Sequence, residues 1–183
     1  VKVFLDACVL YPTVLREILL GCAARQLFTP LWSDRVLEEW ARAAARLGPA
    51  AEELARSEIA AARRMFPAAE VTRFGGLERR LWLPDPGDVH VLAAAVAGSA
   101  DAILTWNAMD FPRGLLAEEG LMRLDPDHFL VGLAESAPAD VSAVVAASVR
   151  EATRLSGEEW TAGRLLRKAR LPRLARTLTR ISG

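Results

Sequence analysis

The stretch 1-VKVFLDACVLYP-12 decides the fold. Its first five residues alternate and then run apolar, are β-branched and aromatic, and so fit a strand buried on both faces. Asp6 closes that run, so the strand delivers a carboxylate at its C-terminal end. Pro12 suits a first helical turn, after which Val14, Leu15, Ile18, Leu19 and Cys22 recur at helical spacing to about Arg25. A second buried strand reads from AILTW at 102–106, and LMRL at 121–124 is a shorter one. Between them and the first strand lies VHVLAAAVAGS, opened by Asp88 and ending near Gly98. It is apolar nearly all round, as a helix wedged against a sheet must be. FTPLW at 28–32 is brief and interrupted by Pro30, which denies it a firm strand assignment.

Strands alternating with helices predict an α/β domain, a three-layer arrangement with a mainly parallel sheet flanked by helices. Ser33 reads as the N-cap of a helix reaching about Leu47, Gly48-Pro49 punctuates, and residues 50–66 form an Ala-rich helix carrying a Glu52/Arg56 pair. LERRLWL at 77–83 reads as a connection. Beyond Asp125 the pattern becomes purely helical, at 126–136, about 139–155, 158–169 and from Pro172. The expected organisation is an α/β domain at 1–125 and an all-helical C-terminal extension at 126–183.

With 183 residues, 52% of them hydrophobic and 25% charged, the chain can bury a full core without staples. That profile excludes a disordered tail, a collagen and a disulfide-bonded mini-protein. Apolar stretches such as 92–100 are far shorter than the roughly 18 residues a bilayer span needs, so no membrane insertion is expected. VKVFLD shows no export signal, and the two cysteines, Cys8 and Cys22, read as small core residues in a reduced, cytoplasmic setting. Zero net charge conceals an asymmetry. Residues 160–183 carry seven basic side chains and no acid, leaving 16 basic and 23 acidic side chains on the other 159 residues. Such an arm either attracts phosphate or is a solvated helix face.

In an open parallel sheet, ligands bind beyond the C-terminal ends of the strands. Asp6 ends the first strand, Asp88 opens the apolar helix, and Asp110 closes the turn after ILTW. Glu39 lies one and a half turns into the helix begun at Ser33, within reach of the same edge. Carboxylates converging there repel one another unless a cation balances them. Hard oxygen donors without histidine or cysteine at ligand spacing suit Mg²⁺ or Mn²⁺ and disfavour zinc. A divalent ion with open water positions suits phosphodiester hydrolysis.

Four blocks, FLDACVLYP at 4–12, SDRVLEEW at 33–40, PDPGDVHVLAAA at 84–95 and ILTWNAMDFP at 103–112, together resemble PIN-domain ribonucleases of the VapC-like toxin branch. The resemblance spans about residues 1–125. It implies Asp6, Glu39 and Asp88 as successive metal-site acids and Asp110 with Asn107 as the last block, and it implies that Thr105 orients the cluster. Glu39 is chosen over Glu38 because the family's acid falls six residues after the serine. Many relatives carry an acid where this chain has Asn107, whose carbonyl still ligates but lowers the site's charge; one or two metals both stay open. The helical ending resembles the extension of a longer subgroup. A cognate antitoxin and a homodimer are implied as partners.

Other readings compete residue by residue. Asp6 and Asp88 are also natural caps, and Asp85 and Asp101 read as turn residues. His90 and His128 lack partners at nucleophile or zinc spacing and read as surface or core residues. The tryptophans read mostly as core, with Trp106 able to stack a base beside the acids. Arg167, Arg170 and Arg173 are the arm's candidate RNA contacts. The expected activity is a Mg²⁺-dependent endoribonuclease. A structure-specific DNA nuclease and a non-catalytic RNA-binding or interaction module are the rivals. A phosphotransfer receiver ranks lower, because the second acid and later lysine it needs are missing.

Overall fold

The structure, a computed structural model, describes residues 1–182. In chain order its elements begin β1 (Lys2–Leu5), α1 (Ala7–Leu10), α2 (Thr13–Ala24), β2 (Thr29–Leu31), α3 (Asp34–Ala45), α4 (Pro49–Met65) and α5 (Gly75–Glu78). A 3₁₀ turn (Pro86–Asp88) leads into α6 (Val89–Ala97), followed by β3 (Ala102–Leu104), α7 (Arg113–Glu118) and β4 (Met122–Leu124). The chain ends in α8 (Pro126–Ser136), α9 (Pro138–Ser156), α10 (Ala162–Lys168) and α11 (Pro172–Ser182).

The four strands form one sheet in the order β2-β1-β3-β4, and every pairing is parallel. The α/β expectation is met: a parallel sheet flanked by helices, with extra helices at the C-terminus. FTPLW does contain a strand. Pro30 stands opposite Val3 in β2, the outermost strand of the sheet, where its missing N–H costs no ladder bond to a further strand. That edge is extended by residues 69–71, since Trp32 N donates to Ala69 O at 3.0 Å and Val71 N donates to Trp32 O at 2.7 Å. The single-turn α1 and the six-residue α7 are too short to show a helical period, and neither is anticipated by the pattern.

Two compact units divide the chain: residues 1–11 with 28–124, and residues 12–27 with 125 onward. In the first, Val3, Phe4, Leu5, Ile103 and Leu104 are fully buried, and each such side chain contributes about 1.5–3 kcal/mol of burial free energy. Ser33 caps α3 as read, its Oγ accepting from Val36 N at 3.3 Å. Gly98 ends α6 where a Cβ would lie 2.7 Å from Val71 Cγ2 and 3.1 Å from Leu31 Cδ1. Only a glycine lets the helix end pass that close to the edge strand.

The second unit is all helical and gathers α2 with α8–α11. Helix α2 packs on α9, and the approach is close: a Cβ on Gly21 would meet Val144 Cγ1 at 2.7 Å. Buried Asp127 caps the start of α11, its two oxygens accepting from Arg173 N and Leu174 N at 2.9 Å each. Thus the segment between β1 and β2 belongs by contact to the helical unit, because its apolar face of Leu15, Ile18, Leu19 and Cys22 needs helical partners.

Candidate active site

The sheet order reverses between β1 and β3, since β1 leads to β2 on one side while β3 and β4 lie on the other. Asp6 and Thr105 follow directly on the C-terminal ends of those two strands, at the switch point where such sheets bind ligands. Both side chains are buried. Asp6 Oδ1 accepts from Ala7 N at 2.7 Å, which caps α1, while Oδ2 accepts from Thr105 Oγ1 at 2.7 Å. Capping and site roles are therefore shared between its two oxygens. Burial pushes the Asp6 carboxyl up, while hydrogen bonds from Thr105, Cys8 and Ala7 oppose the shift.

Cys8 is not simple core filler. Its Sγ lies 3.2 Å from Asp6 Oδ2 and 3.3 Å from Thr105 Oγ1, and it accepts from Trp106 N at 3.3 Å. Burial and the adjacent Asp6 charge push the thiol up to about 12, so it stays protonated and donates to the carboxylate. Cys22, by contrast, is buried as read.

A second group of acids comes from the PDPGD turn and the segment after β3. Oxygens of Asp85, Asp88 and Asp110 all lie within 4.8 Å of one another. Asp85 performs the turn duty read for it, accepting from Gly87 N at 2.8 Å, and it also joins this cluster. Its signal was its spacing: in a 3₁₀ turn, side chains three apart eclipse, which brings Asp85 and Asp88 to one side. Asp88 makes no capping hydrogen bond at α6, so its cap reading fails and its carboxylate is free to face the other acids. Lost hydration pushes it up to about 6, with the charges of Asp6, Asp85, Asp110 and Glu39 adding to the shift.

Asn107 ties the two groups together. Its backbone N donates to Thr105 Oγ1 at 2.9 Å, and Nδ2 donates to Asp110 Oδ2 at 2.7 Å and to Asp88 Oδ2 at 3.3 Å. Its Oδ1 accepts from Asp110 N at 3.3 Å. The carbonyl expected to ligate is turned to the backbone, and the amide acts as a neutral donor between two acids.

The adjacent glutamates of α3 part company. Glu38 is engaged by Arg42 at 3.3 Å and Arg56 at 3.0 Å, which lowers its carboxyl. Glu39 acts electrostatically on both Asp6 and Asp88, and its Oε1 lies 2.6 Å from His90 Nε2. His90 is a core residue, as one of its two readings held, and it does have a partner close by.

The remaining candidates fall elsewhere. Trp106 is half-buried, Trp32 and Trp40 are core, and Trp82 is 65% exposed against expectation. Asp101 accepts from Lys2 N at 2.7 Å, a structural duty at the strands' other end. Arg167, Arg170 and Arg173 are exposed in the helical unit, Arg173 with its guanidinium against the His128 ring.

No ion pair joins Asp6, Asp85, Asp88 or Asp110 to a basic side chain among the described residues. A group of hard oxygens whose mutual repulsion adds to the burial that lifts Asp88 fits a divalent cation. No helix among the described residues is long and apolar enough to cross a membrane. A family model described as PIN domain matches residues 2–109, which include every site residue above except Asp110. Neither curated proteins nor solved structures gave a match. PIN domains are in general nucleases that depend on a divalent metal.

Proposed function

Because the chain belongs to the PIN-domain family, we propose that it is a Mg²⁺-dependent endoribonuclease, with Mn²⁺ able to substitute, acting as the toxin of a toxin–antitoxin pair in the cytoplasm. The observation that carries this reading is the set of carboxylates at the sheet's switch point, gathered without basic partners. Asp6, Asp88 and Asp110 are the proposed ligands, Asp85 joins them, and Glu39 completes the acidic lining. When bound, the cation would lower the pKa of water and offset charge on a scissile phosphate.

The chain's own residues set the geometry. Thr105 fixes Asp6 Oδ2, leaving that carboxylate one orientation, and Asn107 holds Asp88 and Asp110 together by donating to both. These bonds are made before substrate arrives, so little reorganisation is needed. Digestion of single-stranded RNA by wild type and Asp6→Ala, with and without Mg²⁺, tests the assignment. Equal cleavage by both proteins would defeat it. Flap DNA in the same assay separates the DNA-nuclease rival, and absence of both cleavage and Mn²⁺ binding would favour the non-catalytic module.

We place RNA attraction in the basic arm, with Arg167, Arg170 and Arg173 as contacts and Trp106 as a stacking surface. Expression that arrests growth, relieved by a protein encoded beside this one, would establish the toxin role. Sedimentation of the purified chain tests the proposed homodimer.

A further inference from the structure

Helix α6 buries His90, Val91, Leu92, Ala93, Ala94 and Ala95, and the histidine is the one polar side chain among them. At 1% exposure it occupies space that a leucine would fill without desolvating two ring nitrogens. Neither nitrogen has a hydrogen bond of ordinary geometry, yet Nε2 lies 2.6 Å from Glu39 Oε1. Glu39 is 43% exposed and has no Arg or Lys partner among the described residues, whereas Glu38 beside it is held by two arginines.

We infer that His90 is a positioning residue: its Nε2–H holds the Glu39 carboxylate toward the acidic cluster and so decides which of two adjacent glutamates serves the site. This rests on the metal-dependent reading above. An arginine in this place would cancel the charge of Glu39, as happens at Glu38. An imidazole carries no fixed charge, so it can direct the carboxylate through a single N–H.

The test is a Mn²⁺ titration, followed by electron paramagnetic resonance, of wild type, His90→Leu, Glu39→Ala and the double variant. His90→Leu should weaken binding about ten-fold, and the double variant should bind no worse than Glu39→Ala alone. His90→Gln, which keeps a donor, should recover part of the loss. In the metal-free protein, ¹⁵N spectra of the imidazole should show the Nε2-protonated form, with its Nε2 resonance displaced in Glu39→Ala. That measurement alters only an exposed residue and stands even if His90→Leu fails to fold. Additive losses in the cycle, or an Nε2 resonance indifferent to Glu39→Ala, would overturn the role of His90 while leaving the nuclease reading intact. Wild type that binds no Mn²⁺ would overturn both.

Discussion

The strand-end crevice and the helical unit treat charge in opposite ways. In the helical unit, Arg25 pairs with Asp140, Arg154 with Glu151, Arg164 with Glu158 and Arg180 with Glu135. Lys168 and Arg164 also lie over Trp160, at 4.9 and 4.3 Å from its centroid. In the crevice, Asp85, Asp88 and Asp110 crowd within 4.8 Å with only the neutral Asn107 between two of them. Exposed pairs cost little to make or break, whereas gathered like charges are held against their own repulsion by the fold.

The sharpest way to break this contrast is Asp6→Asn. It should lower RNA cleavage by a hundredfold or more, on the order of the loss when a group acting on the reacting atoms is removed, with an unchanged circular dichroism spectrum. Cleavage within a few-fold of wild type would remove the crevice's claim to chemistry.

Next is the response of the metal-free protein to pH. Asp88 is raised to about 6 in the fold, so the folded state holds this proton more tightly than the unfolded chain does. Its contribution to stability is full below the ordinary carboxyl range and is lost as pH rises through about 6. Melting temperature should therefore be higher at about pH 5 than at about pH 7.5. Added Mn²⁺ should narrow the gap by stabilising the ionised form at the higher pH, and Asp88→Asn should flatten the profile. A profile that Asp88→Asn leaves unchanged would show that neither lost hydration nor repulsion raises Asp88 in the fold.

On the helical side, Gly21→Ala drives a methyl against Val144 and should destabilise the protein by about 1–3 kcal/mol in urea unfolding, while leaving Mn²⁺ affinity unaltered. Altered affinity would mean that the two units do not keep their roles apart. Replacing Arg167, Arg170 and Arg173 together by alanine should reduce the slope of log K against log salt for single-stranded RNA by about 2. An identical slope would return the arm to a solvated face. The smallest effect belongs to Arg180→Ala, an exposed pair with Glu135, expected to change stability by about 0–1 kcal/mol.

Much of this arrangement was legible in the residues. The run VKVFL, the all-round apolar α6 and the Ser33 cap each obey local rules that tertiary context did not override. Asp6, Asp88, Asn107, Thr105 and Asp110 do converge, and Glu39 adds its charge to theirs. Asp85 escaped because a turn role explained it fully; the second role exists only once the 3₁₀ turn aligns it with Asp88. Cys8 and His90 escaped because Thr105 and Trp106, which join Asp6 around the thiol, and Glu39, which faces the imidazole, are distant along the chain, and no local spacing encodes such a meeting. Pro30 misled because a proline that excludes a central strand is harmless at an edge, and a single segment does not reveal whether it is one.

By itself, the sequence determined most of the strands, the longer helices and which carboxylates arrive at strand ends, because periodicity, caps and turn residues act over a few positions. Only the tertiary structure decided the order β2-β1-β3-β4, the packing of α2 with the C-terminal helices, and the different partners that Glu38 and Glu39 take. Each of those depends on contacts between residues far apart in the chain, where burial and pairing energies are set by neighbours that no local pattern names.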